Sequence, residues 1–586
     1  MVILGLMAGI SGTGRALKDG SAALMIDGRL VNAIAEERLL RVKRAGGWQQ
    51  SAAYCLEAAH LAPDDVDVVA YSTCCDSLHD MAGDERSMVA AFRRARIVRV
   101  PHHLSHALYA FHGSSFDRAL VVVGDAGGNA LAHCGGDWWS VPREQTSYFE
   151  IDDRRWCLLD RDFDEPYEAG FGETFRAVTY YLGWSGSRHA SKTMALSAYG
   201  DRSVLGLPPF FSLRAGASGI TASVVNDPPA PVEMIARAFD GRVAQLVGPP
   251  RRPEESPTEG AHKHLAALLQ SSYEAALATR ISGLCRRRGL TDVCLSGGVA
   301  YNCRANAHIA AHATLGRVYV PPAPGDTGQS IGNAIWAHRR LVGTPIDRQS
   351  IASAYTGRDD GVGPGADLAL PADVVARRCA LPSETVVSTL VANGLVVGHF
   401  RGRSEIGARA LGHRSIFADP RRTDMVESLN RRKGRERIMP FRGTILAEDM
   451  ARLFSGVSQT PYMQFVLRAS DGCRRTLPAI VHVDGSSRLQ SVDRSTGSAW
   501  LYRMLRELAR LTGTAAVLNT SLNGPGEPIV ERPEEAVRLA QLGWSIASSS
   551  VMPSSPGATC RPNRGCWTLL KPQPRPIDAD LRPLLT

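Results

Sequence analysis

The sequence predicts an α/β protein with more than one domain. Strand-like runs alternate with helix-like segments, and glycine-rich turns follow the strands, as in "RALVVVGDAGGNALAH" and "TDVCLSGGVAYNCRANAHIAAH". This alternation is typical of folds in which helices cover a sheet. Because 586 residues exceed what one ordinary hydrophobic core organises, two or more domains are expected.

A change in composition marks the main domain boundary. Residues 343–390 are rich in Gly, Pro and Asp, and a second α/β region opens at "LVVGHFRGRSEIGARALGHRSI". Segments of that composition are typical of loops rather than packed elements. We therefore predict domains at 1–345 and 346–545. Residues 546–586 form a Pro/Ser/Arg-rich tail that is not expected to fold alone.

Composition and charge narrow the function classes. The chain is 44% hydrophobic and 21% charged, as soluble globular proteins are. Its net charge of +9 includes no long Lys/Arg block, so phosphate-rich small ligands or a scattered solvated excess explain it better than a nucleic-acid or membrane surface. No apolar run reaches the ~18 residues of a membrane helix. The 12 cysteines lack CxxC spacing, and "MVILGLMAGI" reads as a strand rather than a signal peptide, so reduced thiols and a cytoplasmic location are expected.

The N-terminal region reads as the start of the first α/β domain. Residues 2–36 give strand, glycine turn, strand, tight turn and strand, and Asp27–Gly28 between two apolar runs is a strong hairpin signal. A helical pattern in "QSAAYCLEAAHL" and a strand in "VDVVAYST" follow.

The next segment, "PHHLSHALYAF", suggests a metal site. His102 and His106 share a face if the segment is helical, so their imidazoles can reach one ion. Asp125 and Asp326 stand in glycine-rich turns and can complete a shell suited to iron, manganese or zinc. Two other interpretations stay open: the histidines cap and pack a core helix, or they have no special role. The absence of HExxH disfavours a zinc protease.

Glycine turns between strands and helices form a second group of candidates. They lie in "GDAGG", "LSGGVAYN" and "PGDTGQSIG". Such turns present backbone N–H groups and a helix N-terminus to anions, although a single one is weak support because many serve packing. Three in one domain predict a nucleotide cleft. The candidate residues are Gly127, Gly128, Gly297, Gly298 and Asn302.

Basic residues are densest in "FRGRSEIGARALGHRSI" and in "NRRKGRER". Guanidinium groups match phosphate oxygens, and the apolar residues of the first segment imply partial burial, which requires anionic partners. A solvated basic face explains the second segment about as well. We therefore expect a phosphorylated substrate in the second domain. The basic residues are Arg401, Arg403, Arg409, Arg414, Arg431, Arg432, Lys433, Arg435 and Arg437.

Several motifs occur together in a familiar order: "HHLSHA", "SKTMALSAYG", "LSGGVAYNCRAN", "PPAPGDTGQSIG", "GRSEIGARALGHRSIFADPR" and "VLNTSLNGPGEPIV". In this order they resemble the antibiotic and nodulation-factor O-carbamoyltransferases. The resemblance covers roughly residues 2–540, and the number of motifs makes it specific.

The resemblance implies both fold and chemistry. It implies an N-terminal actin/Hsp70-like domain, similar to the tRNA threonylcarbamoyl transferases, and a C-terminal YrdC-like domain. The C-terminal site would take carbamoyl phosphate and ATP with Mg²⁺ and form carbamoyl adenylate. The N-terminal site, holding iron (Fe²⁺) or another divalent metal, would pass the carbamoyl group to a hydroxyl of a small-molecule acceptor. No nucleic-acid or membrane partner is implied.

The same resemblance assigns roles to individual residues. It makes His102, His106 and Asp326 metal ligands, with Asp125 close by. Lys43 in "EERLLRVK" matches a lysine that contacts the adenylate in the N-terminal site. The carbamoyl phosphate and ATP site is assigned to Arg409, Arg414, Lys433, Arg435, Arg488, Asn519 and Ser521.

The chain departs from the family pattern where the acceptor is expected to bind. Relatives have a histidine in "HDASA" where this chain has "KDGSA", so Lys18 replaces the proposed general base. We expect Lys18 to act on the acceptor, as a base or as an orienting hydrogen-bond donor. A base needs a lowered pKa, which burial or the cations expected nearby, Lys43 and a metal ion, would provide, and Asp19 is the alternative base. Two other functions stay open. One is a tRNA threonylcarbamoyl-type transferase, which the lack of a strong basic patch disfavours, and the other is a non-catalytic nucleotide-binding regulator.

Overall fold

The computed structural model divides the chain into two compact units. Unit 1 comprises Met1–Glu36 and Arg44–Ala352, and unit 2 comprises Glu37–Lys43 and Ser353–Thr586. The division after Ala352 lies close to the predicted boundary, but nothing in the sequence predicted that the short segment 37–43 belongs to unit 2. The structure describes residues 1–8, 18–74, 85–133, 140–166, 168–185, 189–213, 220–222, 241–359, 375–379, 381–495, 498–541, 545–549 and 566–570.

The first sheet of unit 1 has five strands in the order β3-β2-β1-β4-β5. Its central strand, β1, pairs antiparallel with β2 and parallel with β4. The predicted turn at Asp27–Gly28 joins β2 to β3, and both residues have the positive φ that a two-residue hairpin turn requires. The strands are Val2–Met7 (β1), Ser21–Ile26 (β2), Arg29–Ala35 (β3), Val68–Ser72 (β4) and Arg96–Arg99 (β5).

The second sheet of unit 1 repeats this topology. Its order is β12-β11-β6-β7-β8, and β6 pairs antiparallel with β7 and parallel with β11. When the strands of each sheet are numbered by their order along the chain, both sheets have the spatial order 3-2-1-4-5. This duplication agrees with the actin/Hsp70-like fold. The strands are Arg118–Gly124 (β6), Thr146–Asp152 (β7), Trp156–Asp162 (β8), Val293–Ser296 (β11) and Val318–Tyr319 (β12), with Phe211–Leu213 (β9) and Ile220–Ala222 (β10) as a separate hairpin.

Two helices of unit 1, α4 and α10, approach each other at backbone distance. A Cβ atom on Gly332 would lie 1.9 Å from the carbonyl oxygen of Ser105, and the Ser105 hydroxyl donates to the Gln329 carbonyl at 2.8 Å. Any side chain at position 332 would separate the two helices. The helices that begin in unit 1 are Glu36–Leu40 (α1), Gln49–Ala58 (α2), Glu85–Ala91 (α3), His102–Gly113 (α4), Phe171–Tyr181 (α5), Ala190–Leu196 (α6), Gly241–Val247 (α7), His262–Arg288 (α8), Cys303–Ala310 (α9), Gln329–Leu341 (α10) and Arg348–Ala352 (α11).

Unit 2 is built on one mixed sheet of ten strands, in the order β13-β22-β21-β14-β15-β20-β16-β19-β18-β17. Most neighbours are antiparallel, but β14 pairs parallel with β21, and β16 with β19. The strands are Val375–Cys379 (β13), Val397–Arg401 (β14), Arg414–Ala418 (β15), Arg442–Leu446 (β16), Phe454–Ser455 (β17), Val466–Ala469 (β18), Ser486–Val492 (β19), Ala516–Ser521 (β20), Ser545–Ser549 (β21) and Cys566–Leu570 (β22).

Part of the predicted tail belongs to this sheet. The sequence interpretation expected residues 546–586 not to fold alone, and β22 within that range pairs with both β13 and β21. Its backbone hydrogen bonds are to neighbouring strands, a pairing that composition does not reveal. Residues 550–565 and 571–586 lie outside the described residues.

The core of unit 2 lies where two helices, α12 and α16, pack together. Val387, Leu390, Leu501 and Leu505 belong to one buried cluster, in which Trp500 also packs its ring on that of His399 at 3.8 Å between centroids. This is a mixed α/β architecture, and the YrdC-like assignment stays a prediction. The helices are Ser383–Ala392 (α12), Asp424–Arg432 (α13), Ala447–Leu453 (α14), Asp471–Thr476 (α15), Ala499–Thr512 (α16) and Pro533–Gln541 (α17).

Over the described ranges, none of the helices combines the length and the apolar character needed to cross a bilayer.

The glycine contact between α4 and α10 can be tested by substitution. We expect Gly332→Ala to destabilise unit 1 by about 3 kcal/mol, because the new methyl group collides with backbone that cannot move aside. The control is Gly283→Ala in α8, where the nearest atom to a Cβ is 3.6 Å away at the tip of Arg287, so the change should be neutral or stabilising. Calorimetry of both variants measures the Tm of each. Equal Tm values for Gly332→Ala and Gly283→Ala would contradict the close contact between α4 and α10.

Candidate functional site

Two buried imidazoles of α4 point to the same place in unit 1. His102 Nδ1 lies 2.9 Å from the Thr73 carbonyl oxygen, which can only accept, so Nδ1 carries a proton and Nε2 is the atom available to a metal. That Nε2 lies 3.6 Å from Asp125 and 3.5 Å from Asp326. His106 Nε2 lies 3.5 Å and 3.4 Å from the same two carboxylates. The structure thus brings all four predicted metal-site residues together.

The two carboxylates belong to turns that are far apart in the sequence. Asp125 follows β6, and its side chain accepts hydrogen bonds from the N–H of Ala126 at 2.8 Å and of Gly298 at 3.4 Å. Asp326 opens a short turn of 3₁₀-helix that leads directly into α10. A helix packed on a strand end therefore assembles what the sequence keeps far apart.

The geometry fits a divalent metal ion. One donor atom from each of the four residues lies within 4.8 Å of the other three. Adjacent ligands of a tetrahedral ion are about 3.4 Å apart when the bonds are ~2.1 Å long, close to the distances observed here. Within the described part of the chain, neither ring nitrogen of His106 has a hydrogen-bond partner, and a metal would satisfy its Nε2. Two imidazoles and two carboxylates suit iron, manganese or zinc.

The charges of the four residues stabilise one another. Burial lowers the pKa of His102, but the adjacent carboxylates of Asp125 and Asp326 outweigh it and raise that pKa well above its ordinary value. Burial acts to raise the pKa of Asp326, and the two adjacent imidazoles reverse this and lower it well below the ordinary range. The carboxylates are therefore ionised, as metal ligands must be.

Lys18 lies near these acids. Burial lowers the pKa of Lys18, but the neighbouring carboxylates, Asp326 foremost, outweigh burial and raise it. The sequence interpretation expected mainly cations around Lys18, whereas the folded chain also brings these acids close to it. The direction of the pKa favours Lys18 as a hydrogen-bond donor to the acceptor over Lys18 as a base, and its role stays a prediction. The alternative base, Asp19, lies 3.7 Å from Arg44 Nε.

The predicted glycine turns have mainly structural contacts. A Cβ on Gly297 would lie 2.1 Å from the Gly124 carbonyl oxygen, and one on Gly128 would lie 2.7 Å from Glu144 Oε2. Asn302 accepts a hydrogen bond from the Ala305 N–H and so caps α9. The backbone N–H of Gly298 donates a hydrogen bond to Asp125, as described above. A nucleotide role for these residues, including Gly127, stays a prediction.

Unit 2 contains a group of five basic residues, called here the C-terminal cation cluster: Lys43, Lys433, Arg435, Arg442 and Arg488. Burial and then the charges of Arg435, Lys43 and Arg442 lower the pKa of Lys433 well below its ordinary value. Burial and then Arg488 lower the pKa of Arg435 to about 10. Like charges that destabilise one another in a buried place indicate a site for an anion.

Polar groups beside this cluster support the same conclusion. Arg488 donates from Nε to the Met463 carbonyl oxygen at 2.6 Å, whereas its buried Nη2 has no hydrogen-bond partner among the residues that the structure describes. Lys433 Nζ donates to the Ser521 carbonyl at 2.7 Å. Asn519 pairs across the sheet with Arg442, which places its side chain at the same end of the strands. Four predicted residues of unit 2, Lys433, Arg435, Arg488 and Ser521, are thus neighbours of one another.

The remaining predicted arginines have other surroundings. Arg414 is buried, packs on the ring of Phe400 at 3.7 Å, and donates to the Arg401 carbonyl at 2.6 Å. The structure therefore gives Arg414 a packing role, and its assignment to phosphate, like that of the half-buried Arg409, stays a prediction. The side chain of Glu405 accepts hydrogen bonds from three backbone N–H groups of "GARALGHRS". These bonds hold the arginine-rich motif in a compact loop.

Lys43 was assigned to the N-terminal site, but the structure places it in unit 2. Lys43 lies there because hydrogen bonds from Arg38 and Arg41 hold the segment 37–43 against the rest of unit 2. Arg38 donates to the Glu405 and Gly407 carbonyl oxygens, at 3.0 and 2.9 Å. Arg41 donates to the Ile529 carbonyl at 2.7 Å. Lys43 accordingly adds its charge to the C-terminal cation cluster.

Comparison with known proteins identifies the family. A family model described as the carbamoyltransferase N-terminus matches residues 77–335, and one described as the carbamoyltransferase C-terminus matches residues 388–544. The nodulation protein NolO of Bradyrhizobium diazoefficiens is 31% identical over 74% of this chain and 75% of its own. This chain belongs to the carbamoyltransferase family.

Other relatives extend the match. The nodulation protein NolNO of Sinorhizobium fredii is 28% identical over 89% of this carbamoyltransferase and 76% of its own length. Among solved structures, the HypF protein of T. kodakarensis is 15% identical with a TM-score of 0.31, covering 60% of this chain and 49% of its own. A likeness that low carries no argument about the fold, which rests on the topology described above.

Three residues of the carbamoyltransferase were missed by sequence analysis. Gln329 is fully buried with its side-chain nitrogen 3.2 Å from Asp326. Glu173 is buried on α5, and burial raises its pKa despite the opposing charges of Arg176, Arg143 and Lys18. Arg442 joins the C-terminal cation cluster. Gln329 had one available signal, its place three residues after Asp326, whereas Glu173 had none.

The metal assignment leads to a direct prediction. His106→Ala should weaken metal binding by about 100-fold or more, because it removes one of the four ligands. The control is His112→Gln on the same helix, since His112 accepts a hydrogen bond from Arg339 that a glutamine can also accept. Metal content after dialysis measures both proteins. Full occupancy in His106→Ala would show that His106 only packs the helix.

Proposed function

We propose that this carbamoyltransferase forms carbamoyl adenylate from carbamoyl phosphate and ATP in unit 2 and transfers the carbamoyl group to an acceptor hydroxyl in unit 1. The observation that carries the proposal is the C-terminal cation cluster, where buried positive charges adjoin the unpartnered Nη2 of Arg488. Both substrates bear phosphate groups, which are the anions that such a cluster binds. Mg²⁺ would accompany ATP there.

The chemistry explains why two sites are useful. Water would first cleave carbamoyl phosphate into carbamate and inorganic phosphate, and a carbamate oxygen would then attack the α-phosphate of ATP and release pyrophosphate. Carbamate itself is a poor electrophile, whereas carbamoyl adenylate has AMP as a leaving group that the acceptor hydroxyl can displace. The cations of unit 2 would stabilise the negative charge that develops on the phosphates. Lys433, which is buried, and the half-buried Arg435 would hold these groups in position.

Transfer to the alcohol is proposed to take place at the four-residue site of unit 1. His102, His106, Asp125 and Asp326 would hold a divalent ion, with iron as our proposal. When bound, the ion would act as a Lewis acid that polarises the carbamoyl carbonyl. Lys18, protonated beside Asp326, would orient the acceptor or the leaving phosphate by donating hydrogen bonds. Glu173, a buried carboxyl group near enough to Lys18 for the two charges to interact, would receive the acceptor's proton.

The acceptor is proposed to be a hydroxylated small molecule of a natural-product pathway, antibiotic biosynthesis included. The relatives named above are nodulation proteins, which is compatible with a specialised metabolite. The competing interpretation, a tRNA threonylcarbamoyl-type transferase, has less support, because the family models match both halves of the chain as carbamoyltransferase. A decisive assay would detect, by mass spectrometry, replacement of one hydrogen by a carbamoyl group on a candidate alcohol.

The assignment of unit 2 can be tested at Arg488. We expect Arg488→Met to lower pyrophosphate release in the presence of carbamoyl phosphate and ATP by about 100-fold, since a buried charged contact to phosphate is lost. Arg494→Met, on the exposed loop that follows β19, is the matched control and should release pyrophosphate normally. Normal release by Arg488→Met would remove the phosphate site from this cluster.

The role of Lys18 can be decided by comparing three variants. If Lys18 acts as a cation, Lys18→Arg should keep part of the transfer activity, and Lys18→Met should lose about 100-fold or more. Lys18→His should then keep part of the activity while its imidazole is protonated and lose it as the pH rises above the pKa of that imidazole. Pyrophosphate release should remain normal in all three, because the residue belongs to unit 1. Higher activity of Lys18→His than of Lys18→Arg would instead indicate a general base.

A further inference from the structure

We infer that Gln329 is a positioning residue for the metal site, an inference that rests on the proposed transfer chemistry in unit 1. Its side chain is fully buried, and Nε2 lies 3.2 Å from Asp326 Oδ1 and 3.1 Å from His102 Nε2. The amide group therefore contacts two of the four candidate ligands. An Asp–His–Gln contact of this kind governs where the ligand atoms point, without the glutamine being a ligand.

The orientation of this amide is fixed by a chain of hydrogen bonds with a defined direction. Asn333 Nδ2 donates to the Leu6 carbonyl at 2.8 Å and to Ser72 Oγ at 2.9 Å. Because the Ser72 hydroxyl accepts from Asn333, its own hydrogen is available to donate to Gln329 Oε1, 2.7 Å away. The Gln329 oxygen thus faces Ser72, and the nitrogen faces the ligands.

The contact with Asp326, at the other end of this series of hydrogen bonds, independently requires the same orientation of the Gln329 amide. Ionised Asp326 can only accept, so the Gln329 atom beside it must be the nitrogen. A flipped amide would place two oxygens against each other at that point and leave Ser72 facing a donor. Two separate contacts therefore exclude the flipped state, and the site receives two N–H groups from a rigid, buried side chain.

These two N–H groups have different uses. One holds the Asp326 carboxylate in place. The other lies against the His102 ring, 3.1 Å from Nε2 and 3.3 Å from Nδ1. A donor on the Nε2 lone pair would be much farther from Nδ1, so this N–H packs on the ring and leaves the lone pair to the metal. Gln329 thereby fixes the position of one carboxylate and one imidazole of the site.

Two variants of equal size separate this role from simple packing. Gln329→Met keeps the volume and removes both N–H groups, so the dissociation constant for Co²⁺, measured by chelator competition, should rise about 10- to 100-fold. Gln329→Glu replaces the donor with an acceptor. It should hold Co²⁺ at least as tightly as the wild type, show a changed visible absorption spectrum, and transfer about 100-fold more slowly.

A third variant changes a residue that contacts Gln329 rather than Gln329 itself, so an effect on metal binding cannot come from misfolding caused by a substitution at Gln329. Ser72→Ala keeps Gln329 but removes the donor that fixes its orientation, and should weaken Co²⁺ binding about 10-fold. Ser105→Ala is the matched control, because its hydroxyl bonds the backbone carbonyl of Gln329 and not the amide, and its Co²⁺ affinity should equal that of the wild type.

The outcomes are distinguishable. Wild-type protein that binds no Co²⁺ would overturn the metal proposal and this inference together. Wild-type affinity and an unchanged Co²⁺ spectrum in Gln329→Met would overturn the inference alone. Weakened binding in Gln329→Met and Ser72→Ala, with normal binding in Ser105→Ala, would support it.

Discussion

The backbone contact between α4 and α10 is the constraint on which the unit 1 site depends. Gly332 lets α10 approach the Ser105 carbonyl, and Ser105 lies between the two histidines of α4. The same helix begins just after Asp326 and carries Gln329 in its first turn. One close helix pair therefore brings together one carboxylate, two imidazoles and the amide that orients them. A wider spacing would leave the donor atoms too far apart to share an ion.

The two units collect opposite charges for opposite purposes. In unit 1, buried Asp125 and Asp326 make a place for a cation, which His102 and Lys18 partly balance. In unit 2, the C-terminal cation cluster is proposed to bind anions, and the lowered pKa values of Lys433 and Arg435 result from burial and then from the repulsion between its members. Burying like charges is unfavourable without a ligand, so both sites are typical of function rather than of stability.

Two corrections show how local patterns mislead. Lys18 was judged from the cations expected near it, but the pKa of a buried group depends on every charge that the fold brings close, and acids dominate here. Lys43 was assigned to the N-terminal site because "EERLLRVK" resembles a family motif whose lysine contacts the adenylate there. Arg38 and Arg41 instead bind carbonyl oxygens of unit 2 and keep that segment there. Neither contact has a signature in neighbouring residues.

The sequence by itself determined the alternation of strands and helices, the hairpin at Asp27–Gly28, and the residue types of both sites. These features are local, because propensity, period and turn chemistry act over a few residues. Only the tertiary structure decided which of these residues meet. The cluster of His106 and Asp326, the duplicated sheet order and the inclusion of β22 all join segments distant in sequence. Such pairings depend on packing between whole elements, and no short stretch of sequence specifies them.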